Sequence, residues 1–230
     1  MKIINFLLCS TAAAGILSSC IYVGDLGGKQ VRCKGPVVEK TFDLTGFESI
    51  RIDGSCDLVL SQQDNFLVKV NANEQVYEYL DYAVEDKTLV IKTKNNVTIH
   101  AETYGLTVAL PLLKGFTING AGDIDLKGGY YAGEGLTLTV NGAGDLELND
   151  IQVPSIAVTL NGAGDIDLKD IDVQEITVSV NGAGDLFVSG KADKASFSIS
   201  GAGDIDARGL DVEDVDTHKS GIASIKLKNR

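Results

Sequence analysis

The chain has no tryptophan, one methionine, two histidines and three prolines among 230 residues. With histidine so scarce, and neither His100 nor His218 beside a serine or cysteine signature, a nucleophilic triad has no foothold. Cysteine is limited to four, without the paired spacing of a zinc site. Positive charge is also short: 20 basic against 32 acidic side chains leave −12, so a phosphate backbone is repelled and nucleic acid is excluded as a partner. No stretch carries helical periodicity, and no apolar run after residue 20 is long enough to span a bilayer. Glycine is in surplus, at 26 residues, about 11% against the usual ~7%. With so little proline, that surplus serves recurrent tight turns and not a disordered linker.

The chain opens with Lys2 and an apolar run from Ile3 to Leu17, the layout of a secretory signal. Leu17-Ser18-Ser19-Cys20 resembles the lipobox of bacterial lipoproteins, which implies acylation of Cys20 and a membrane partner through the lipid. Ile21, in place of the aspartate that retains such proteins in the inner membrane, favours by the same resemblance an outer-membrane lipoprotein of the bacterial cell envelope, facing either the periplasm or the exterior. Residues 1–19 are then a signal peptide and 20–36 a flexible tether. Cys9 leaves with the leader and Cys20 carries lipid, so Cys33 and Cys56 remain as a possible disulfide in an oxidising compartment.

Asn119-Gly-Ala-Gly-Asp123 recurs as Asn141-Gly-Ala-Gly-Asp145, Asn161-Gly-Ala-Gly-Asp165, Asn181-Gly-Ala-Gly-Asp185 and Ser200-Gly-Ala-Gly-Asp204, with a worn copy at Ser220-Gly-Ile-Ala-Ser224. The intervals are 22, 20, 20, 19 and 20 residues. Between turns the apolar residues alternate, as in Ile156, Val158, Leu160 and Ile176, Val178, Val180, and a second alternation follows each turn, as in Leu146, Leu148 and Ile166, Leu168. Period two means strand. A unit of short strands with one apolar face buries that face only against copies of itself. The expected fold is therefore all-β: a single-stranded, right-handed parallel β-helix solenoid with ~20-residue rungs. Asp53-Gly-Ser-Cys-Asp57 aligns with the turn as a degenerate rung. The β-helix domain is placed at 37–230, with irregular rungs at 37–118 and regular rungs at 119–230. Thr217 and Lys219 fall at core-type positions, suggesting a polar terminal rung.

Two further stretches, Phe47-Glu-Ser-Ile-Arg-Ile-Asp-Gly-Ser-Cys-Asp-Leu-Val-Leu60 and Pro111-Leu-Leu-Lys-Gly-Phe-Thr-Ile-Asn-Gly-Ala-Gly-Asp-Ile124, together with the repeated turn, resemble the head GIN domain family of putative auto-transporter adhesins. The resemblance covers roughly residues 40–228. It implies an exported β-helical domain with adhesin-like, non-catalytic binding, and it brings no catalytic residues.

Two regular surfaces follow from the repeat. Asp123, Asp145, Asp165, Asp185 and Asp204 form one carboxylate ladder, with Asp125, Glu147, Asp167, Phe187 and Asp206 beside it. The ladder is expected to be structural, each Asp closing its own turn on backbone N–H groups and Lys127, Lys169 and Arg208 nearby. The alternative is calcium or another hard cation between rungs, although the nine-residue period of calcium-binding repeats is missing. A polysaccharide-active, pectinase-like enzyme is the rival class; a catalytic carboxylate pair is a local exception to a repeat, and here every rung carries the same acids. The second surface is a row of small hydroxyls, Thr137 and Thr139, Thr159, Thr177 and Ser179, Ser196 and Ser198, which is either plain β-propensity or a docking face for a glycan, a protein or another copy in a homo-oligomer. A purely structural envelope component is the third function class.

Overall fold

The structure, a computed structural model, describes residues 29–94 and 97–228. The expected signal peptide and the expected lipidation site at Cys20 lie outside the described residues. The fold is all-β. In chain order the strands are β1 Lys29–Cys33, β2 Val37–Phe42, β3 Ser49–Asp53, β4 Asp57–Gln62, β5 Leu67–Asn73, β6 Leu80–Glu85, β7 Thr88–Thr93, β8 Val97–Ala101 and β9 Tyr104–Leu110. They continue as β10 Gly115–Ala121, β11 Ile124–Lys127, β12 Tyr130–Tyr131, β13 Leu136–Ala143, β14 Leu146–Ala163, β15 Ile166–Ala183 and β16 Leu186–Leu227. A 3-10 turn spans Glu74–Tyr79. Apart from the small pair β1 and β8, the strands form one curled sheet.

In the repeat region each copy pairs in parallel with the next, residue for residue. Ile156 lies beside Ile176, Leu160 beside Val180 and Asn161 beside Asn181, and the register continues to Ala195, Ile199 and Ser200. The apolar alternation explains the pairing, because the buried side chains of one copy land on those of the next: Leu146, Leu148, Ile151, Val153, Ile156, Val158 and Leu160 are each 4% exposed or less. The buried positions advance in steps of two and three. Each three-residue step is a corner, and at the first of them Asp150 and Asp170 take a left-handed backbone, with φ of 58° and 53°, a conformation open to Asp. Unequal intervals change only the corners. The 22-residue copy carries its extra residues around Tyr130-Tyr131, which still pair with Ile151 and Gln152. The 19-residue copy drops one residue before Gly190, which pairs with Ile171.

The Gly-Ala-Gly segments belong to the sheet. Gly144 N–H donates to the Ala163 carbonyl at 3.0 Å and Gly164 N–H to the Ala183 carbonyl at 3.1 Å. Gly162 and Gly164 adopt φ of +149° and +148°, and a β-carbon on either would overlap the backbone carbonyl of Gly142 or Gly144 beneath it. Only glycine combines that dihedral with that approach. The degenerate first turn follows the same rule: Asn119 pairs with Asp53 and Ile124 with Leu58, so Gly122 packs on the Cys56 carbonyl.

The N-terminal region departs from the expected parallel rungs. Strands β3 and β4 stack in parallel on β10 and β11, but β2 with β5, β5 with β9, and β6 with β7 are antiparallel. The reason is local: β6 and β7 are joined by Asp86 and Lys87 at positive φ, a two-residue reversal that makes a hairpin. Part of the expected tether is ordered too, since Lys29–Cys33 pairs in parallel with β8. This small sheet is pinned by Asn73, 1% exposed. Its amide donates to the Gly35 carbonyl at 2.9 Å and accepts from Glu102 and Thr103 N–H at 3.0 Å.

The two end strands of the large sheet, β2 and β6, meet through Phe42 and Tyr82, whose ring centroids are 4.1 Å apart. At the other end Thr217 and Lys219 are exposed, and Gly221 sits on the Gly201 carbonyl, so the worn sixth turn is stacked like the others. Gly164→Ala is expected to lower the unfolding free energy by more than about 1 kcal/mol, combining φ strain and steric overlap. Ala163→Ser, one residue away and exposed, is expected to leave it within about 0.5 kcal/mol. Chemical denaturation of both proteins checks the contrast.

Candidate functional site

The Asp ladder is brought together as expected, but its hydrogen bonds run between rungs. Asp145 Oδ1 accepts from Asp165 N–H, Asp165 Oδ1 from Asp185 N–H, and Asp185 Oδ1 from Asp204 N–H, each at 2.8 Å. The chain of bonds starts at Asp57, which accepts from Asp123 N–H at 3.2 Å, and passes to Asp145 N–H at 3.1 Å. Each carboxylate therefore closes the turn of the following copy and not its own. The in-register pairing places the next Asp amide, and not the turn amides, beside each carboxylate. The ladder ends on Asp204, which accepts from Ser224 Oγ at 2.6 Å and Lys226 Nζ at 2.8 Å. The Lys226 hydrogen bond, supported by Ser224, holds the Asp204 carboxyl below its ordinary range.

A second ladder runs beside it, unanticipated in its bonding. Asn141 Nδ2 donates to Asn119 Oδ1 at 2.8 Å, Asn161 to Asn141 at 2.8 Å and Asn181 to Asn161 at 2.9 Å, with Asp53 accepting from Asn119 at 2.6 Å. An amide carries both donor and acceptor, so identical side chains can bond in an endless row. That property is the signal for Asn at this place in the repeat.

Of the outer carboxylates two residues on, Asp125, Asp167 and Asp206 pair with cations on their own strands, and Glu147 with Lys169 of the next strand at 3.7 Å. Asp125 pairs with Lys127, Asp167 with Lys169 at 2.7 Å, and Asp206 accepts both arms of Arg208, from Nε at 2.9 Å and Nη2 at 2.5 Å. The Arg208 guanidinium brings the Asp206 carboxyl down to about 2. Its contribution to stability is thus present above the ordinary carboxylate range and lost as pH falls through about 2. Phe187, 37% exposed, replaces the acid in this row. The two rows border an open groove of about 480 Å³.

Calcium takes six to eight oxygen ligands converging on one point. The ladder Asp residues stand in single file, each with Oδ1 already occupied by a hydrogen bond, and among the described residues no three His, Cys, Asp or Glu side chains converge to hold a metal. Cys33 and Cys56 are not joined. Both are free and buried, Cys33 on the small sheet and Cys56 in the turn before β4. Burial, partly offset by a hydrogen bond with Tyr104, pushes the Cys56 thiol up to about 12, which removes thiolate character. His100 and His218 are both exposed.

The hydroxyl row is also assembled. Thr139 pairs with Thr159, Thr159 with Ser179 and Ser179 with Ser198, while Ala157 separates Thr137 from Thr177 beside Ser196. Thr137 and Thr177 are exposed and the others half-buried. The row extends beyond the sequence-based expectation to Thr117 and Arg51. Sequence reasoning also missed a third, short face, on which Tyr131, Gln152, Asp172 and Lys191 stand in one register column. The apolar pairs Ile151, Val153 and Ile171, Val173, offset by the corner Asp, were its signal.

Fold and surfaces together define a stacked-repeat, all-β protein whose regular features are ladders. Residues 46–230 match the family described as "Putative auto-transporter adhesin, head GIN domain". The chain belongs to that family. No curated protein matches it. The chain is similar to the crystal structure of a putative lipid binding protein from Parabacteroides distasonis, at 19% identity and a TM-score of 0.75, over 88% of this chain and 98% of that one. It is also similar to a putative adhesin from Bacteroides fragilis, at 16% identity and a TM-score of 0.65, over 85% and 99%. At such identities the likeness is one of fold alone.

Asp165→Ala strands the Asp185 N–H and is expected to cost about 1–2 kcal/mol. Asp165→Asn keeps the acceptor, removes a like charge and is expected to be neutral or stabilising. Equal losses from both substitutions in chemical denaturation would contradict the ladder's role.

Proposed function

We propose that the chain is a cell-envelope binding module of adhesin type, with no chemistry of its own, anchored by lipid at Cys20 and wound as a right-handed parallel β-helix. The observation that carries this reading is the use of the carboxylates. From Asp57 to Asp185 every acid of the main ladder accepts the backbone N–H of the next Asp, and Asp204 closes the row on Ser224 and Lys226, whereas a hydrolytic pair needs two acids set apart from such a pattern, one of them raised in pKa. Family membership supports an envelope setting. Among the described residues no helix is long and apolar enough to cross a membrane, which agrees with attachment through lipid at the N-terminus.

The β-helical winding is supported by the residue-for-residue parallel register of successive copies. Such a stack is stiff, and a stiff scaffold presents surface groups with little ordering entropy lost on binding. The hydroxyl row from Thr117 to Ser198 is a repeated surface in strict register and offers a donor and an acceptor on each of its strands. Extended glycans and edge strands of other proteins are the ligands suited to such a row.

Two measurements test the proposal. Cys20→Ala is expected to move the protein from the membrane pellet to the soluble fraction, and retention in the pellet contradicts the lipid anchor. On a glycan and matrix-protein array, the full chain in detergent is expected to capture a defined ligand, and the double variant Thr159→Arg with Ser179→Arg tests whether the hydroxyl row does so. Release of reducing ends from arrayed polysaccharides would instead favour the enzyme class.

A further inference from the structure

The short third face carries a cleft that neither the repeat motif nor the ladders account for. One shallow, open hollow of about 660 Å³ is lined by Tyr131, Gln152, Pro154 and Gln174, and another of about 600 Å³ by Lys191, Asp211 and Glu213. Both include Asp172, Val173 and Asp193, so they are two lengths of a single cleft that crosses the rungs. Its central column runs Tyr131, Gln152, Asp172, Lys191, roughly 14 Å over three inter-strand steps.

The polar groups here differ from those of the ladders. Asp145, Asp165 and Asp185 are occupied by backbone N–H groups. By contrast, the side chains of Gln152, Asp172, Gln174, Lys191 and Asp193 have no hydrogen-bond or ion-pair partner among the described residues. Two amides, two carboxylates and an ammonium therefore line one cleft with their capacity free. Its apolar floor is formed by Val153, Val173 and Ala192.

At one end the cleft has a fixed aromatic ring. Tyr131 is 48% exposed, yet its backbone is clamped on both sides by Gln62, which accepts from Tyr131 N–H at 3.0 Å and donates to its carbonyl at 2.9 Å. Its hydroxyl donates to the Asp150 carboxylate. An exposed ring held in this way loses little freedom when something stacks on it. An aromatic face followed by free amide and carboxylate groups is the chemistry that recognises a sugar: C–H groups of the ring against the aromatic, vicinal hydroxyls to planar acceptors and donors. Asp172, Asp193, Asp211 and Glu213 outnumber Lys191 and Lys228, the latter paired with Asp211 at 3.2 Å, so the cleft is negative on balance and uronates and sulfated sugars are repelled.

We propose that this cleft is a binding site for an uncharged oligosaccharide, seated across the rungs with one sugar on Tyr131 and its neighbours on Gln152, Asp172 and Lys191. The proposal rests on the reading of the chain as a binding module, and it places the ligand on a different face from the hydroxyl row.

The test is calorimetric titration of the full chain in detergent with cellohexaose, xylohexaose, mannohexaose, chitohexaose and hexagalacturonate. At least one neutral hexaose is expected to bind and hexagalacturonate to fail. Tyr131→Ala is expected to weaken binding by about tenfold or more through loss of stacking, and Tyr131→Phe, which keeps the ring, by less. Asp172→Ala, a surface change two rungs away, is expected to weaken binding as well and guards against a folding defect in the Tyr131 variants. Failure of every neutral hexaose, preference for hexagalacturonate, or binding unchanged in both Tyr131→Ala and Asp172→Ala would overturn the proposal. Binding that survives these variants but is lost in Thr159→Arg with Ser179→Arg would overturn the cleft while leaving the binding module standing. Capture of no ligand by the unsubstituted chain, on array or in titration, would count against both.

Discussion

Contact between the backbone carbonyl of one glycine turn and the α-carbon of the next is the constraint on which the structure depends. Gly142, Gly162, Gly182 and Gly201 each stand over the carbonyl of the preceding copy, with no room for a side chain. Because the turn can close only in that one registration, Asn falls on Asn, Asp on Asp, and each buried aliphatic residue on its counterpart. A slip of one residue would turn every apolar side chain outward. The turn and the core thus enforce the same register, and that agreement lets successive copies share one continuous interior.

The same register sets like charges in a row, and the structure shows how this is tolerated. Two carboxylates one strand spacing apart repel by about 0.9 kcal/mol in water and by about 3.5 kcal/mol at an effective dielectric of 20. The ladder is solvent-exposed except at Asp204, so the lower figure governs, and one charge-assisted hydrogen bond from a backbone N–H, worth about 1.5–3 kcal/mol, offsets it at each step. Where the row ends and no further Asp amide follows, Ser224 and Lys226 take over. An acidic stripe that suggests a cation site in one dimension is, in three, a set of acceptors with a protein donor for each.

The all-β class, the turn residues and the buried alternation were legible in the sequence because they repeat, and repetition makes one-dimensional spacing equivalent to spatial neighbourhood. Even the degenerate turn at Asp53-Gly-Ser-Cys-Asp57 could be aligned by its first glycine and its aspartate. What did not repeat was hidden. The hairpin of β6 and β7 and the antiparallel partners of β5 depend on long-range pairing that no local pattern encodes. The short third face was overlooked because each corner adds a residue and breaks the period-two count between Leu148 and Ile151. Asn73 looks like any turn asparagine until its three partners, from Gly35 to Thr103, are seen around it. The cysteine pair shows the limit of counting: Cys33 and Cys56 are even in number and exported in expectation, yet both are free and buried, Cys33 on the small sheet and Cys56 in the turn before β4.

The account as a whole stands on residues one repeat apart being neighbours across a strand spacing. Thr117, Thr139, Thr159, Ser179 and Ser198 form one column of four such steps, so spin labels at positions 117 and 198, attached through Thr117→Cys and Ser198→Cys, should be separated by about 19 Å plus the reach of the labels. A pulsed dipolar measurement giving a narrow distribution near that value is the expected result. A distribution centred well beyond 35 Å, roughly twice the four-step span, would mean that the copies do not stack, and the ladders, the hydroxyl row and the cleft would go with them.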